Sequence, residues 1–383
     1  MDDATTDVSR SPSLRRRAFL SAAAIGIGGL SGCTGKVRPF VGKRDTDEKT
    51  LTDVQSVVVA ADVGNVTVTP NDDLSERTVR AHVEKKSSSI LSSLSAVAFS
   101  ATAEEGRATV RTQTEDGIRL WSLPTVQLRV EAHPSIVVES ARVENGDVLV
   151  EDLVGPGSRS DSDSSESLVV RTEDGDATAR ETTGNVVVRT KDGDATARKT
   201  TGDADVRTED GDAMAHETTG NVVVRTKDGD ATARKTTGDA DVRTKDGDAT
   251  ARKTTGDADV RTEDGDATAI GVKGFVRVHT TDGDARTESC DGILGVSSKN
   301  GDVDAEVSAL RSDTRIETEN GDARASLGES LNARVVGKTA HGDVSVSATL
   351  DDSEVSDEHV SGTVGDGGPT LRVQSENGDV KIS

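Results

Sequence analysis

Gly175 Asp176 Ala177 Thr178 Ala179 Arg180 Glu181 Thr182 Thr183, followed by Gly184 Asn185 Val186 Val187 Val188 Arg189 Thr190 Lys191 Asp192, decides the fold. Apolar residues stand at alternate positions, Ala177 and Ala179 in the first half and Val186 and Val188 in the second. Alternation with period two marks a strand with one face turned in and one turned out. The Thr-Gly and Asp-Gly steps between the runs supply residues tolerant of positive φ at the corners. The unit therefore reads as two short strands and two corners.

It recurs every 18 residues without an insertion, with Gly175, Gly193, Gly211, Gly229, Gly247, Gly265, Gly283 and Gly301 in step, each between Asp or Asn and Asp. A second series, Gly184 to Gly292, lies nine residues on. An unbroken period of this kind predicts a solenoid, each coil burying its apolar face on its neighbours. The expected fold is all-β: a parallel β-solenoid of the β-helix or β-roll type with 18-residue coils, and irregular N- and C-terminal coils as caps. Seven coils paired at about 4.8 Å rise roughly 30 Å. The inward set is mostly Ala on one wall and Ala or Val on the other, so the two walls must approach closely.

The composition fits that thin interior. The chain has 383 residues, 69 Asp and Glu against 46 Lys and Arg, a net charge of -23, 1% aromatic residues and no Tyr. Leu, Ile, Val and Phe make up about a fifth of it, a level at which high net charge usually means disorder. The repeat argues against disorder, because a disordered tract has no reason to hold register. An acidic chain almost without aromatics repels phosphate and lacks stacking platforms, which excludes nucleic acid as a partner.

Outward positions form charge columns. Glu181, Lys199, Glu217, Lys235 and Lys253 make one, and Glu173, Lys191, Glu209, Lys227, Lys245 and Glu263 another. Alternating signs on neighbouring coils predict cross-strand pairs worth a few tenths of a kcal/mol each.

The first residues read as an address. Arg15 to Arg17 and a short apolar run to Leu30 have the layout of a signal peptide over residues 1–32. Arg16 and Arg17 with Ala18 Phe19 Leu20 resemble a twin-arginine export signal, and Leu30 Ser31 Gly32 Cys33 resembles a lipobox whose Cys33 takes a lipid. This predicts an extracytoplasmic protein, lipid-anchored to the outer face of the cell membrane. Residues 33–50 read as a tether. Residues 51–174 read as an irregular N-terminal part of the solenoid, with inserts at 86–98, at helical spacing, and at 155–167, a Ser- and Asp-rich loop. The regular repeats occupy 175–300. Degenerate coils follow over 301–383, with an acidic loop from Asp351 to Pro369. Cys290, the second of two cysteines, reads as a small buried residue.

The extended segment Leu128 to Pro134, then Ile136 and Val138, then corners such as Asn145 Gly146 Asp147 and Asn320 Gly321 Asp322, resembles a candidate-adhesin family of bacterial and archaeal surface proteins. The resemblance implies a parallel β-solenoid over most of residues 51–383 and a surface location, and it supplies no catalytic residues. The Asp content and the lipoprotein signal look like those of exported proteins of halophilic archaea.

The leading expectation is an adhesin-like structural or interaction protein without catalysis or cofactor. A calcium-binding β-roll is the alternative, with Asp192, Asp194, Asp228, Asp230, Asp246 and Asp248 as ligands, since hard cations favour clustered oxygens. Calcium-binding nonapeptide repeats carry several Gly per nine residues, however, and here there is one. A polysaccharide-active enzyme is a further alternative, against which stand the scattered histidines and the lack of aromatic sugar platforms.

Overall fold

In a computed structural model, residues 42–87, 93–115, 124–156 and 166–383 are described. The signal segment with Arg16 and Arg17, Cys33, and the tether as far as residue 41 lie outside them. Alternation produces what it predicts. In each coil a four-residue strand such as Ala177–Arg180 faces a second such as Val186–Arg189. Successive coils pair in parallel and in register, Ala177 with Ala195 and Val186 with Ala204. The inward residues Ala177, Ala179, Val186 and Val188 are all at most 1% exposed.

The first sheet has sixteen strands and runs from Lys43–Leu51 at one end to Val344–Val346 at the other. The second begins with Val97–Glu104 and Arg107–Thr114 and ends with His359–Val364 and Asp351–Val355. Its two end strands share no register pair among the described residues, so it is an open sheet.

Both ends depart from the repeat. Lys43–Leu51, the last part of the segment read as a tether, is a strand paired antiparallel with Val79–Ser87, which in turn pairs antiparallel with Thr125–Ala132. Of the segment read at helical spacing, 86–98, residues 88–92 lie outside the described residues. Among the described ones, Lys86 lies opposite Thr125, Leu94–Ala96 makes a 3-10 turn and Val97 opens a strand. At the far end the acidic segment 351–369 is not a plain loop, because Asp351–Val355 and His359–Val364 pair antiparallel within it. The final strands also leave chain order: Thr370–Asn377 inserts between Thr314–Asn320 and Ala333–His341.

The corners are built in two ways. At the first, Gly193 has φ +134 and Gly211 φ +131, and a Cβ on Gly211 would stand 2.3 Å from the Gly193 carbonyl oxygen. At the second, Gly202 is not left-handed; its Cβ would meet Gly184 backbone at 2.5 Å. There the positive φ, 53–58°, falls instead on the charged residue three positions earlier, Glu181, Lys199, Glu217, Lys235 or Lys253. Gly184, in the first of these corners, still has φ +103, but from Gly202 onward glycine at the second corner is needed for close coil stacking and not for its backbone angle.

Candidate binding surfaces

Each first corner is tied to the next coil by three side-chain columns. Inside, a Thr hydroxyl donates to a glycine carbonyl of the preceding coil: Thr190 to Gly175 O at 2.8 Å, Thr208 to Gly193 O at 2.9 Å, Thr226 to Gly211 O at 2.8 Å. After the glycine, each Asp carboxylate accepts the backbone N–H of its counterpart one coil on. Asp194 Oδ1 takes the amide of Asp212 at 2.9 Å, and Asp230 Oδ1 that of Asp248 at 2.9 Å. Burial pushes the Asp194 carboxyl above its ordinary range, partly offset by that amide.

Before the glycine stands a separate column of Asp192, Asp210, Asp228, Asp246 and Asp264, bridged backbone to backbone. Hydrogen bonds to Asp228 and Asp192 keep Asp210 protonated to higher pH than a free Asp. Asp228 moves the other way, accepting from Asp246, Asp210 and Lys227. The six aspartates considered as calcium ligands therefore divide. Asp194, Asp230 and Asp248 are each engaged by an amide, while Asp192, Asp228 and Asp246 line the other column. Among the described residues no group of three or more His, Cys, Asp or Glu is arranged to hold a metal ion.

The second corner repeats the amide ladder with Asx residues. Asp203 N donates to Asn185 Oδ1 at 3.0 Å, and the series ends where Phe275 N reaches Asp257 Oδ1 at 2.7 Å. Arg311 lies 4.0 Å from the Phe275 ring centre and caps this edge. Inside the same corner the buried column of Thr200, Thr218, Thr236 and Thr254 continues 18 residues at a time to Val272 and Cys290, which is 1% exposed with its thiol pushed up by burial.

The first charge column pairs across coils as its signs predict, Lys199 to Glu181 at 2.9 Å and Lys235 to Glu217 at 2.8 Å. The second does not. Lys227 and Lys245 turn to their own neighbours Asp228 and Asp246, at 3.3 and 3.4 Å.

The outer face of the second sheet changes character along its length. Over the array, arginines are matched by an Asp row: Arg225 to Asp241 at 2.9 Å, Arg261 to Asp259 at 2.8 Å. Beyond it, Arg277, Arg315 and Arg372 are exposed and form no ion pair among the described residues, with Gly295 leaving space beside Arg277. The adjacent row, His279, Ser297, Glu317, Gln374 and Lys338, crosses five strands in register and lines a groove of about 900 Å³. His279 Nδ1 is 2.8 Å from Ser297 Oγ. Sequence reasoning missed this groove, because its strands are neighbours only after Thr370–Asn377 has inserted out of chain order.

No curated protein matches the chain. Among solved structures, a candidate adhesin from Bacteroides fragilis shares 10% identity over 89% of this chain and 97% of its own, with a TM-score of 0.34. A candidate adhesin from Parabacteroides distasonis shares 11% over 90% and 98%, TM-score 0.24, and a candidate lipid-binding protein from the same organism 8% over 89% and 97%, TM-score 0.23. A family model, Toastrack DUF4097, matches residues 138–273 and again 236–383, two spans that overlap within the 18-residue array and together cover the repeats and the C-terminal coils. With well over half its length accounted for in this way, the stacked-coil chain belongs to the Toastrack DUF4097 family.

Proposed function

We propose that the protein is an adhesin-like, non-catalytic surface protein, exported through Arg16 and Arg17, held to the membrane by a lipid on Cys33, and contacting its ligand through the C-terminal coils. One observation carries the reading: the strand Lys43–Leu51 ends the first sheet at one extreme, and the groove with its unpaired arginines lies in the coils towards the other. An anchor at the N-terminus would then hold that groove away from the membrane. The groove itself offers hydroxyl, amide, imidazole, ammonium and carboxylate groups, with Glu317, Glu319 and Glu376 against Lys299 and Lys338. It is the row of three unpaired guanidiniums beside it that suits the acidic groups of a polar ligand such as an anionic glycan.

Cys33→Ser and Arg315→Glu/Arg372→Glu test the two halves separately in intact cells. Cys33→Ser is expected to release the protein into the medium, and a pool retained inside the cell would sink the anchor. The double arginine variant is expected to stay on the cells and to lower their adhesion to immobilised acidic glycan several-fold. Unchanged adhesion would remove the groove from the reading.

A further inference from the structure

Over the array, the outer face of the first sheet is laid out in three parallel rows. Each strand turns a central residue outward between an Asp two positions before it and, in four of the six strands, an Arg two positions after it. His216 and Ile270 hold that place in the other two, and Arg180 is already paired with Glu151 and Glu181. Asp194 and Arg198, Asp230 and Arg234, and Asp248 and Arg252 flank Thr196, Thr232 and Thr250 in this way. Arg198, Arg234 and Arg252 are exposed and form no ion pair among the described residues, in a chain whose net charge is -23. The three aspartates are exposed too, and the amide ladder engages only one oxygen of each. The middle row is low and flat, and on it sits Met214, 42% exposed and one of two large exposed hydrophobic residues among those described.

This face is complementary to itself in one orientation only. The acidic and basic rows run along the stack about 13 Å apart, on opposite sides of the threonine row. Two such faces related by a twofold axis parallel to the stack place each Asp row over the other copy's Arg row, with threonine over threonine. A twofold axis across the stack places Asp over Asp and Arg over Arg, which repels. The coil period is the same in both copies, so aligning one coil aligns all: Asp194 meets Arg198, Asp230 meets Arg234, Asp248 meets Arg252, and Met214 meets Met214.

We propose that this face docks on the same face of a second copy, side by side and parallel, with the N-terminal strands at the same end. Six coils by five residues cover on the order of 450 Å² per copy, about half of the ~800 Å² per partner of a stable interface. The pairing is therefore weak, reversible and screened by salt. It does not rest on the ligand groove, which lies on the other sheet.

Cysteine pairing tests it in the full chain carrying Cys33→Ser, with Cys290 buried. Thr178→Cys and Thr250→Cys, made separately, each sit on the proposed axis opposite themselves. Mild oxidation at high protein concentration and low salt is expected to link each variant into homodimers. About 1 M salt should cut the yield several-fold. An equal mixture should give few dimers joining position 178 to 250. The exposed, unpaired arginines allow a second variant that spares the fold, Arg198→Glu/Arg234→Glu/Arg252→Glu, in which dimers in sedimentation velocity should disappear. Predominant 178-to-250 dimers, or a chain monomeric at every concentration with both cysteine variants folded and unlinked, would overturn the proposal.

Discussion

Thr208 is 7% exposed, and its hydroxyl is aimed at the Gly193 carbonyl 2.9 Å away. Thr208→Val keeps the shape and leaves that carbonyl short of a donor inside the fold, so a loss of about 1–3 kcal/mol is expected in denaturant unfolding. Thr208→Ser should recover most of it, since Ser298 and Ser375 make the same bond at 2.8 Å to Gly283 and Gly321. Ala195, fully buried between walls of Ala and Val, has no space for more atoms. Ala195→Leu is expected to cost about 1–3 kcal/mol by overpacking, while Thr196→Leu on the outer row should leave melting nearly unchanged and lower solubility. Equal effects of the two would mean that the inward and outward sets are exchanged. The alternation that exposes these roles in the sequence runs one step further than the apolar residues do: Val186 and Val188 lead on to Thr190, an inward position whose polar side chain hides it from a search for hydrophobic residues.

At the scale of the corner, charge decides how the columns behave. Asp210 stands between Asp192 and Asp228, which raise its pKa by hydrogen bonding. A carboxyl raised by folding favours the fold below its unfolded pKa and loses that contribution as pH climbs through the folded value. Asp210→Asn should therefore raise the melting temperature at pH 7, with the gain vanishing in acid, where Asp210 itself carries a proton. The column already makes this replacement towards the C-terminus, where the Asn300 amide donates to Asp282 at 2.6 Å and that of Asn320 to Asn300 at 2.8 Å. Glu217 is the opposite case. Its hydrogen bond with Lys235 lowers its pKa, so its contribution is present above the unfolded value and is lost as pH falls. Glu217→Gln should give a small loss of melting temperature at pH 7 and none in acid. Melts of the three proteins at about pH 2 and at pH 7, on either side of both the folded and the unfolded values, separate these signs. The turn at Asp-Gly was legible because glycine is needed there for its angle. The turn at Thr-Gly was legible as a corner but not in its geometry, because the positive φ sits on Glu or Lys three residues before the glycine, residue types that rarely adopt it.

Across the whole stack, each coil touches little beyond its neighbours, and period alone shows that much. Period could not show the end of the stack. Thr370–Asn377 enters between two earlier strands because its Leu371 and Val373 complete the inner wall there, a non-local choice that leaves no spacing signal. Between these ends the array should behave as interchangeable units, and its length should be adjustable only in whole coils. Deleting 211–228 joins Asp210 to Gly229 and returns every later residue to the same wall, since Ala213 and Ala231 occupy equivalent positions in register. A folded protein with one cooperative transition and a smaller denaturant m value is expected, because less surface is exposed on unfolding. Deleting 220–228 removes half a coil. Every strand from Ala231–Arg234 onward is then offered to the opposite sheet, and the C-terminal strands meet the array on the wrong walls. That variant should lose cooperativity or fail to stay soluble. Equal stability of the two deletions would mean that the 9-residue half, and not the 18-residue coil, is the unit that folds.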